Sequence, residues 1–536
     1  MKNKLKIFLL LVLIPALLSC EKRPSNLQSN SYFYPTSKPN TRYWWFASIM
    51  KKDDIRHQLN WAKEKNFGGV EIAWVYPVNR RRYTNERETN KTPINRQEWL
   101  SPAWTEIVAF TKQYCDSIGL SCDFTFGTGW PFGDTHVKYD HATCRYNEKD
   151  ESYKETYVTV SWEYPQKGYI INHLDKAAFE AYAQRLGKAL QPALQGSRSA
   201  LFCDSWEVPT RRIWTHGFAH TFKQIYGYDI TRFMDNIYDR KYADEYYDYM
   251  KLVSDYVINR FYRPFTEFCH ANNAVSRVQI CGAPVDLLTA NASVDIPESE
   301  AMLYEPKYAQ IPASAACLSG KREITSETFT CIYGFPKRDK KGKTVDFKHR
   351  GEEQTADLKL VADALFANGV NQIIWHGMPH NPVGVDSIMF YATVHVGSRG
   401  KLAKELAPFN RYMQKVSAFM KKGTTYSDIA VYIPQEDAWE GQEMRHPDPQ
   451  QPWAWGEYEM RTVNFPAELK GYRPLWVNHD FLKKATFVNG LLKIGDVSFS
   501  SLYIDVDFVD DAALNTILNL ARKGLPICLK KDFAQP

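Results

Sequence analysis

The sequence lacks several motifs that define common enzyme classes. It has 10 cysteines in 536 residues, no two of them in a CxxC pair, and their spacings fit neither a zinc site nor a small disulfide-bonded domain. It contains no HExxH, GxSxG or GxxxxGK(S/T) segment, which argues against a zinc protease, an α/β-hydrolase and a phosphate-binding loop. Chemistry carried by carboxylates is therefore the first kind to examine.

An excess of charge is also missing. Lys and Arg number 67 against 61 Asp and Glu, which gives a net charge of +6. The basic runs Arg80–Arg82 and Lys337–Lys343 are short and predict solvated loops. We therefore expect no nucleic-acid partner.

The N-terminus reads as a targeting segment. Three lysines precede the apolar run Ile7–Leu18, which is too short to span a bilayer as a permanent helix. Leu17–Cys20 resembles a bacterial lipobox, in which the signal is cut before the cysteine and that cysteine is lipidated. This pattern predicts a signal peptide over 1–20, a lipid on Cys20 and a flexible spacer over 21–40. The protein would then sit in the bacterial cell envelope, on the periplasmic side of the outer membrane or on the cell surface, with the membrane as a partner through its lipid.

Strand-like and helix-like segments alternate over most of the chain. The composition, 44% hydrophobic and 24% charged, is that of a globular protein, and the length fits two domains. Eight strand-like segments between residues 42 and 379, separated by helical patterns, predict a (β/α)8 barrel. The pattern restarts after Gly423. We expect a catalytic barrel over 41–422 and a smaller, incomplete three-layer α/β domain over 423–536.

Two glutamates follow short apolar strands. Glu207 lies in the segment ALFCDSWEVP (200–209), and Glu327 lies in REITSETFT (322–330). Strand counting puts Glu207 after the fourth barrel strand and Glu327 on the seventh, so both would face the mouth of the barrel. Hydrolysis of a glycosidic bond needs one carboxyl group as an acid and a second as a base or nucleophile. The alternative is that either glutamate pairs with a basic residue as structural support.

Further polar and aromatic side chains are expected near the same mouth. The loop GTGWPFGD (127–134) follows the third strand; its glycine spacing does not match a dinucleotide-binding loop, and it would present Trp130 to a ligand. The histidines of HGMPH are four apart, but Pro379 between them disfavours a helical zinc pair. The predicted sugar-binding residues are Trp130, Asp204, Trp206, His376, His380 and Glu71. Their alternative roles are packed turns, loop capping and, for the carboxylates, metal binding.

Several of these segments together resemble one family. YWWF near the start, GGVEI, GTGWPFG, DSWEV, YGYD, SETF and GVNQIIWHG look like segments of glycoside hydrolase family 106, the α-L-rhamnosidases. The resemblance covers about residues 40–400 and continues into the second domain. It implies a (β/α)8 catalytic domain followed by accessory domains. Family members are typically longer, so it also implies a chain that is short at its C-terminus.

The resemblance assigns roles to the two glutamates. It makes Glu207 the general acid and Glu327 the general base of an inverting reaction, in which the two carboxyl groups stand about 6.5–9.5 Å apart to admit a water. It also implies a calcium ion at the site, for which no ligand in this sequence can be assigned.

Two other functions stay open at this point. The chain could hydrolyse a different sugar, because sugar choice depends on loop contacts that a sequence does not reveal. It could also be a lipoprotein that binds glycan without hydrolysing it.

Overall fold

The computed structural model describes most of the chain after the N-terminal segment. The described residues are 32–45, 49–74, 97–147, 153–154, 168–206, 208, 212–301, 305–330, 337–338, 344–346, 352–384, 394–398, 400–440 and 464–534. The predicted signal peptide with Cys20 and most of the predicted spacer lie outside these residues, and so does Glu207. No helix within the described ranges is long and apolar enough to cross a membrane.

Eight parallel strands form a closed barrel in chain order. The strands are β1 (Asn40–Trp45), β2 (Gly69–Trp74), β3 (Ser121–Thr125), β4 (Ser199–Cys203), β5 (Ala274–Gln279), β6 (Ile296–Glu300), β7 (Thr325–Thr328) and β8 (Gln372–Pro379). Each pairs with its neighbours in sequence, and β8 pairs with β1 to close the ring. The predicted barrel is confirmed, including its sixth strand.

Helices connect the barrel strands. They are α1 (Lys52–Glu64), α2 (Pro102–Ile118), α3 (Lys176–Leu190), α4 (Phe218–Tyr226), α5 (Ala243–Val257), α6 (Arg263–Ala271), α7 (Leu287–Ala292), α8 (Gln310–Leu318), α9 (Thr355–Ala367) and α10 (Leu406–Met420). A π-helical turn, Ile258–Tyr262, joins α5 to α6.

Local sequence fixes the ends of these helices, as α2 illustrates. The hydroxyl of Ser101 accepts a hydrogen bond from the backbone N–H of Trp104, and Pro102 occupies the first turn, where no N–H is needed. Gly119 ends the helix with φ of +76°, a conformation that glycine adopts without strain. The buried side chains of α2, among them Ile107, lie on the face towards the sheet.

Four short antiparallel pairings of described residues lie in the connections between barrel strands. They join Gly133–Asp134 to Tyr169–Ile170, Cys144–Arg145 to both Tyr153–Lys154 and Ile213–Trp214, and Lys337–Arg338 to Thr344–Asp346.

A second, smaller sheet follows the barrel. Its parallel strands are β9 (Ile429–Tyr432), β10 (Pro474–Val477), β14 (Ser501–Ile504) and β15 (Ile527–Leu529), in the spatial order β10-β9-β14-β15. The helices of this part are α11 (Gln435–Glu440), α12 (His479–Lys484) and α13 (Asp511–Arg522). The expected smaller α/β part is therefore present.

An antiparallel sheet in this second part was not foreseen. It consists of β11 (Thr486–Val488), β12 (Leu491–Ile494) and β13 (Val497–Phe499). Asn489 and Gly490 form its first turn with φ of +53° and +76°. An Asn-Gly pair between two apolar segments is a strong hairpin signal, so this sheet could have been predicted.

A bulge interrupts the pairing that closes the barrel. Thr41 lies opposite Trp375, but Tyr43 lies opposite Met378, so two residues of β8 oppose one residue of β1. Bulges of this kind redirect a side chain near an active site. The two residues of β8 that lie opposite Arg42 are His376 and Gly377. The imidazole of His376 lies beside the buried carboxylate of Glu327.

Gly377 makes this bulge possible. Its φ is +139°, and a Cβ added there would lie 2.5 Å from the carbonyl oxygen of Arg42 and 2.7 Å from the indole nitrogen of Trp44. That indole N–H donates a hydrogen bond to the carbonyl oxygen of His376. The close approach of the two backbones therefore fixes the position of the histidine.

We expect Gly377→Ala to lower the free energy of unfolding by about 3 kcal/mol, because it adds both backbone strain and a backbone clash. The control is Gly119→Ala, since Gly119 also has positive φ but nothing lies within 4 Å of an added Cβ. That control should cost only about 1 kcal/mol. Urea unfolding at pH 7 measures both, and equal losses would contradict the role of close backbone contact.

Candidate active site

The barrel interior holds buried charges. On β1, Arg42 is about 2% exposed and its guanidinium reaches three carboxylates. Nε lies 2.9 Å from Glu71 Oε1, Nη1 lies 3.5 Å from Asp204 Oδ2, and Nη2 lies 3.1 Å from Glu327 Oε2. Arg42 therefore ties together β2, the residue that follows β4, and β7.

The guanidinium of Arg277, on β5, contacts a second set of buried carboxylates. Nη1 of Arg277 lies 3.0 Å from Asp123 Oδ2 and its Nε lies 2.8 Å from Glu298 Oε2, and it also contacts Glu71. Both guanidinium groups lie over the ring of Phe202, at 4.8 Å for Arg277 and 4.5 Å for Arg42. The two arginines thus share one carboxylate and one aromatic ring.

Glu327 is held in its ionised form. Burial alone would raise its pKa, but Arg42 and His376, together with hydrogen bonds from Gln279 and Thr330, lower the pKa to about 2. Thr330 Oγ1 donates to one carboxylate oxygen at 2.8 Å, and Gln279 Nε2 donates to the other at 2.9 Å. The His376 ring nitrogen lies 3.4 Å from the first of these oxygens. Glu327 is therefore a carboxylate with a fixed orientation.

Asp204 has the opposite character. Burial, together with repulsion from Glu327 and Glu298, raises its pKa to about 7, although Arg42 and the backbone N–H of Ser205 oppose this. Its side chain is 12% exposed, more than that of Glu327 at 4%. Two neighbouring carboxyl groups with widely separated pKa values are typical of acid/base sites.

Aromatic rings form one wall of the site. Trp44 packs edge-on against Trp130 at 5.7 Å and against His376 at 5.0 Å between ring centroids. Arg42 lies 5.2 Å from the centroid of the Trp44 ring. The partly exposed Trp130 is thus joined to the carboxylate cluster through Trp44.

The loop that carries Trp130 is anchored on its C-terminal side. Phe132 stacks on Tyr182 at 5.5 Å. Asp134 is fully buried and accepts two hydrogen bonds from Arg185, at 3.0 and 3.2 Å. These contacts hold Phe132 and Asp134 in place, and the presentation of Trp130 to a ligand stays a prediction.

Three predicted sugar-binding residues, Glu71, Trp206 and His380, are buried and contact protein groups. Glu71 is 1% exposed, and both of its oxygens contact arginines, so it supports Arg42 rather than contacting a sugar hydroxyl. Trp206 is 4% exposed, and its ring packs against His173. The two arginine contacts make Glu71 a support for Arg42, whereas a sugar-binding role for Trp206, which is about as buried as Glu327, stays a prediction.

His380 also differs from the prediction. Its Nδ1 lies 2.7 Å from the hydroxyl of Tyr43, which donates in turn to Gln58 of α1. Successive side chains of a strand point to opposite faces, so Tyr43 lies on the helix side of β1 when Arg42 lies inside the barrel. Because the bulge lies between His376 and His380, the two side chains point to different sides of β8. His376 contacts Glu327, whereas His380 contacts Tyr43.

Sequence reasoning missed Arg42, Arg277 and Gln279. A signal was present, because a polar residue at every second position of an otherwise apolar strand marks one face of a sheet. Arg277 and Gln279 stand two apart in RVQI. In a closed barrel that face is the interior.

The calcium ion that the family resemblance implies stays a prediction. Within the described part of the chain, no group of three or more His, Cys, Asp and Glu side chains has an arrangement that could hold a metal ion. Calcium binds six to eight oxygen ligands, many from carboxylates. Here Glu71, Asp123, Glu298 and Glu327 instead contact guanidinium groups.

A large cleft lies at the opposite end of the barrel. Its lining includes the strand starts at Ser121 and Ile296 and, from the second part of the chain, Tyr426 and Tyr472. The clustered carboxylates do not line it. We therefore locate the candidate active site by its chemistry, at the carboxyl ends of the strands, where barrels of this type carry their functional residues.

Solved structures of barrel glycosidases share this fold. A rhamnosidase from Novosphingobium sp. PP1Y superposes with a TM-score of 0.65 and 13% identity, covering 92% of this chain and 68% of that one. A beta-galactosidase from Halorubrum lacusprofundi gives a TM-score of 0.56 and 10% identity, covering 91% and 72%. At these identities the likeness concerns the fold.

Sequence comparison identifies the family. The sequence profile of the alpha-L-rhamnosidases of glycoside hydrolase family 106 matches residues 165–464, more than half of the chain. The chain belongs to this family of glycoside hydrolases. A curated protein of Formosa agariphila, named as a candidate beta-glucuronidase, is 23% identical over 243 residues. That match covers 43% of this chain and 19% of the relative, so the chain spans about a fifth of the length of that protein.

Arg42→Met should lower the free energy of unfolding by about 3–5 kcal/mol, because it leaves three buried carboxylates without their shared cation. The loss of stability for Arg42→Lys should lie between that of Arg42→Met and zero, since a single ammonium group keeps the positive charge but cannot contact three carboxylates as the forked guanidinium does. The control is Arg56→Met at a surface pair with Asp53, which should change stability by under about 0.5 kcal/mol. Urea unfolding at pH 7 separates them, and equal losses at the two sites would contradict the central role of Arg42.

Proposed function

We propose that the protein is an extracytoplasmic, inverting glycoside hydrolase that releases α-L-rhamnose from polysaccharides or smaller glycosides. The observation that carries the proposal is Glu327. It is a buried carboxylate kept ionised by Arg42 at the end of β7, in a chain of the rhamnosidase family.

The proposed mechanism divides the proton transfers between two glutamates. Glu327 takes a proton from a water molecule, whose oxygen forms a bond to the anomeric carbon. The glycosidic C–O bond breaks, and the leaving oxygen takes a proton from Glu207, which lies outside the described residues. The ionised Glu327 also stabilises the transition state, in which positive charge develops on the sugar ring.

The remaining groups are assigned to binding. Trp130, supported by Trp44, offers an aromatic surface to the C–H bonds and the methyl group of a deoxy sugar. His376 and Asp204 lie beside Glu327 and Arg42 and are suited to hydrogen bonds with sugar hydroxyls. Asp204, with a pKa of about 7, can both donate and accept near neutral pH.

A second sugar specificity has one observation in its favour. The Formosa agariphila relative is named as a candidate beta-glucuronidase. A glucuronide carries a carboxylate that needs a cation partner. Within the described residues, both guanidiniums at the centre of the site already contact the protein's own carboxylates. We therefore place the neutral deoxy sugar first.

The test uses the chain from residue 21 onward, with aryl α-L-rhamnoside and aryl β-glucuronide as substrates and proton NMR of the released sugar. We expect turnover of the rhamnoside with β-rhamnose as the first anomer, because an inverting enzyme reverses the configuration. Glu207→Gln and Glu327→Gln should each lower kcat at least about 10²-fold. Glu106→Gln, at an exposed surface pair, is the matched control and should be unchanged.

Other outcomes discriminate among the alternatives. α-Rhamnose as the first product would make one glutamate a nucleophile and contradict inversion. Release of glucuronate alone would favour the second specificity. Glycan binding without turnover of either substrate would identify a binding protein. The resemblance implies calcium, so each assay is repeated in EDTA and after calcium is restored; equal rates would contradict a calcium requirement.

We also propose that Cys20 carries lipid and anchors the protein in the cell envelope, on the periplasmic side of the outer membrane or on the cell surface. We expect labelled palmitate to enter the wild-type protein in bacterial cells and to be absent from Cys20→Ser, which should be recovered in the soluble fraction. Equal partition of both proteins into membranes, without label, would contradict the anchor.

A further inference from the structure

Gln279 connects two carboxylates inside the barrel. It lies on β5 and is fully buried. Its Nε2 donates to Glu298 Oε1 at 3.0 Å and to Glu327 Oε2 at 2.9 Å. An amide oxygen facing two carboxylates would be repelled, so the orientation of the amide is determined.

The strand register shows why one amide can reach both groups. Gln279 lies opposite Glu298, and Glu298 lies opposite Thr325, so these three residues stand in one row across β5, β6 and β7. Glu327 lies two residues further along β7, on the same face and closer to the mouth. Gln279 therefore links the row of Glu298 and Thr325 to Glu327, the proposed base, which lies closer to the mouth.

Each carboxylate also has its own supports. Thr325 Oγ1 donates to Glu298 at 2.7 Å, and Arg277 lies at 2.8 Å. The charged groups facing Glu327 are Arg42, His376, Asp204 and Glu298. Gln279 differs from these because it donates hydrogen bonds without adding charge.

The carbonyl oxygen of the same amide, Oε1, differs from its nitrogen in its contacts. Within the described part of the chain, Gln279 Oε1 is buried and accepts no hydrogen bond from the protein. The contact of this amide with Glu327 is therefore made by its N–H group alone.

We propose that Gln279 is a positioning residue for hydrolysis: its N–H group holds the carboxylate of Glu327 in the orientation in which it takes a proton from the attacking water. This inference rests on the proposed function. In the step, one O–H bond of the water breaks and its proton passes to Glu327. The water oxygen forms a bond to the anomeric carbon as the glycosidic C–O bond breaks, and the leaving oxygen receives its proton from Glu207. Gln279 is unchanged.

The test compares two substitutions at this position by the pH dependence of kcat/KM on an aryl α-L-rhamnoside. Gln279→Met removes donor and acceptor and should lower kcat about 10–100-fold at every pH, with KM changed less than about threefold. Gln279→Glu can replace the lost donor only while protonated. Burial and the two neighbouring carboxylates raise the pKa of such a group, so this variant should work best at low pH and show a new alkaline limb.

Thr325→Val is the matched control, since it removes a donor to Glu298 but none to Glu327. Its pH profile should match that of the wild type. The proposal is overturned if Gln279→Met keeps kcat within about twofold of wild type, or if Gln279→Glu shows the wild-type profile.

Unfolding in urea supplies a readout that needs no turnover. The introduced glutamate has a folded-state pKa above its unfolded value, so Gln279→Glu should lose stability relative to Gln279→Met as the pH rises from 5 to 8. A difference in stability between the two variants that does not change with pH would contradict the placement of residue 279 between Glu298 and Glu327. Wild-type protein that turns over no substrate would instead contradict the proposed function, while this stability comparison would still test the geometry around Gln279.

Discussion

The shared ion pairing of Arg42 with Glu71, Asp204 and Glu327 is the constraint on which the rest of the site depends. Charges inside a barrel must be paired, because an isolated buried ion is strongly destabilising. Arg42 and Arg277 face five carboxyl groups in the described interior, so full ionisation would leave an excess of negative charge. Burial raises the pKa values of Asp123 and Asp204 to about 7, which reduces that excess, while Arg42 and His376 keep Glu327 ionised.

The geometry around Glu327 comes from irregularities rather than from the regular barrel. The bulge at Gly377 places His376 beside the carboxylate, and the anchored loop after β3 places Trp130 against Trp44. Together they bring an imidazole and an aromatic wall to a carboxylate that the regular strands have already oriented.

The fold could be predicted because strand and helix signals alternate clearly, and Glu327 could be placed because strand order determines which residues face the mouth. The roles of the interior residues could not. Arg42 stands alone among aromatic residues, and its three partners come from distant strands. His376 and His380 look equivalent in HGMPH, because a one-residue bulge leaves no periodic signal. Glu71 is predicted at a strand end, but only the contacts with two arginines show that it is enclosed.

The charged interior has a consequence for the order in which the barrel can form. Arg42 lies on the first strand, while Glu327 lies on the seventh, so the pair exists only after nearly all of the barrel has been synthesised. Contacts between distant parts of a chain make folding slow, because loop closure precedes the energy gained from the contact. A barrel lined with aliphatic residues could gain stability strand by strand. Here, the pair of Arg42 with Glu71 joins adjacent strands, but its contacts with Asp204 and Glu327 need distant strands. Part of the stabilising energy of this barrel is therefore gained only when the ring closes.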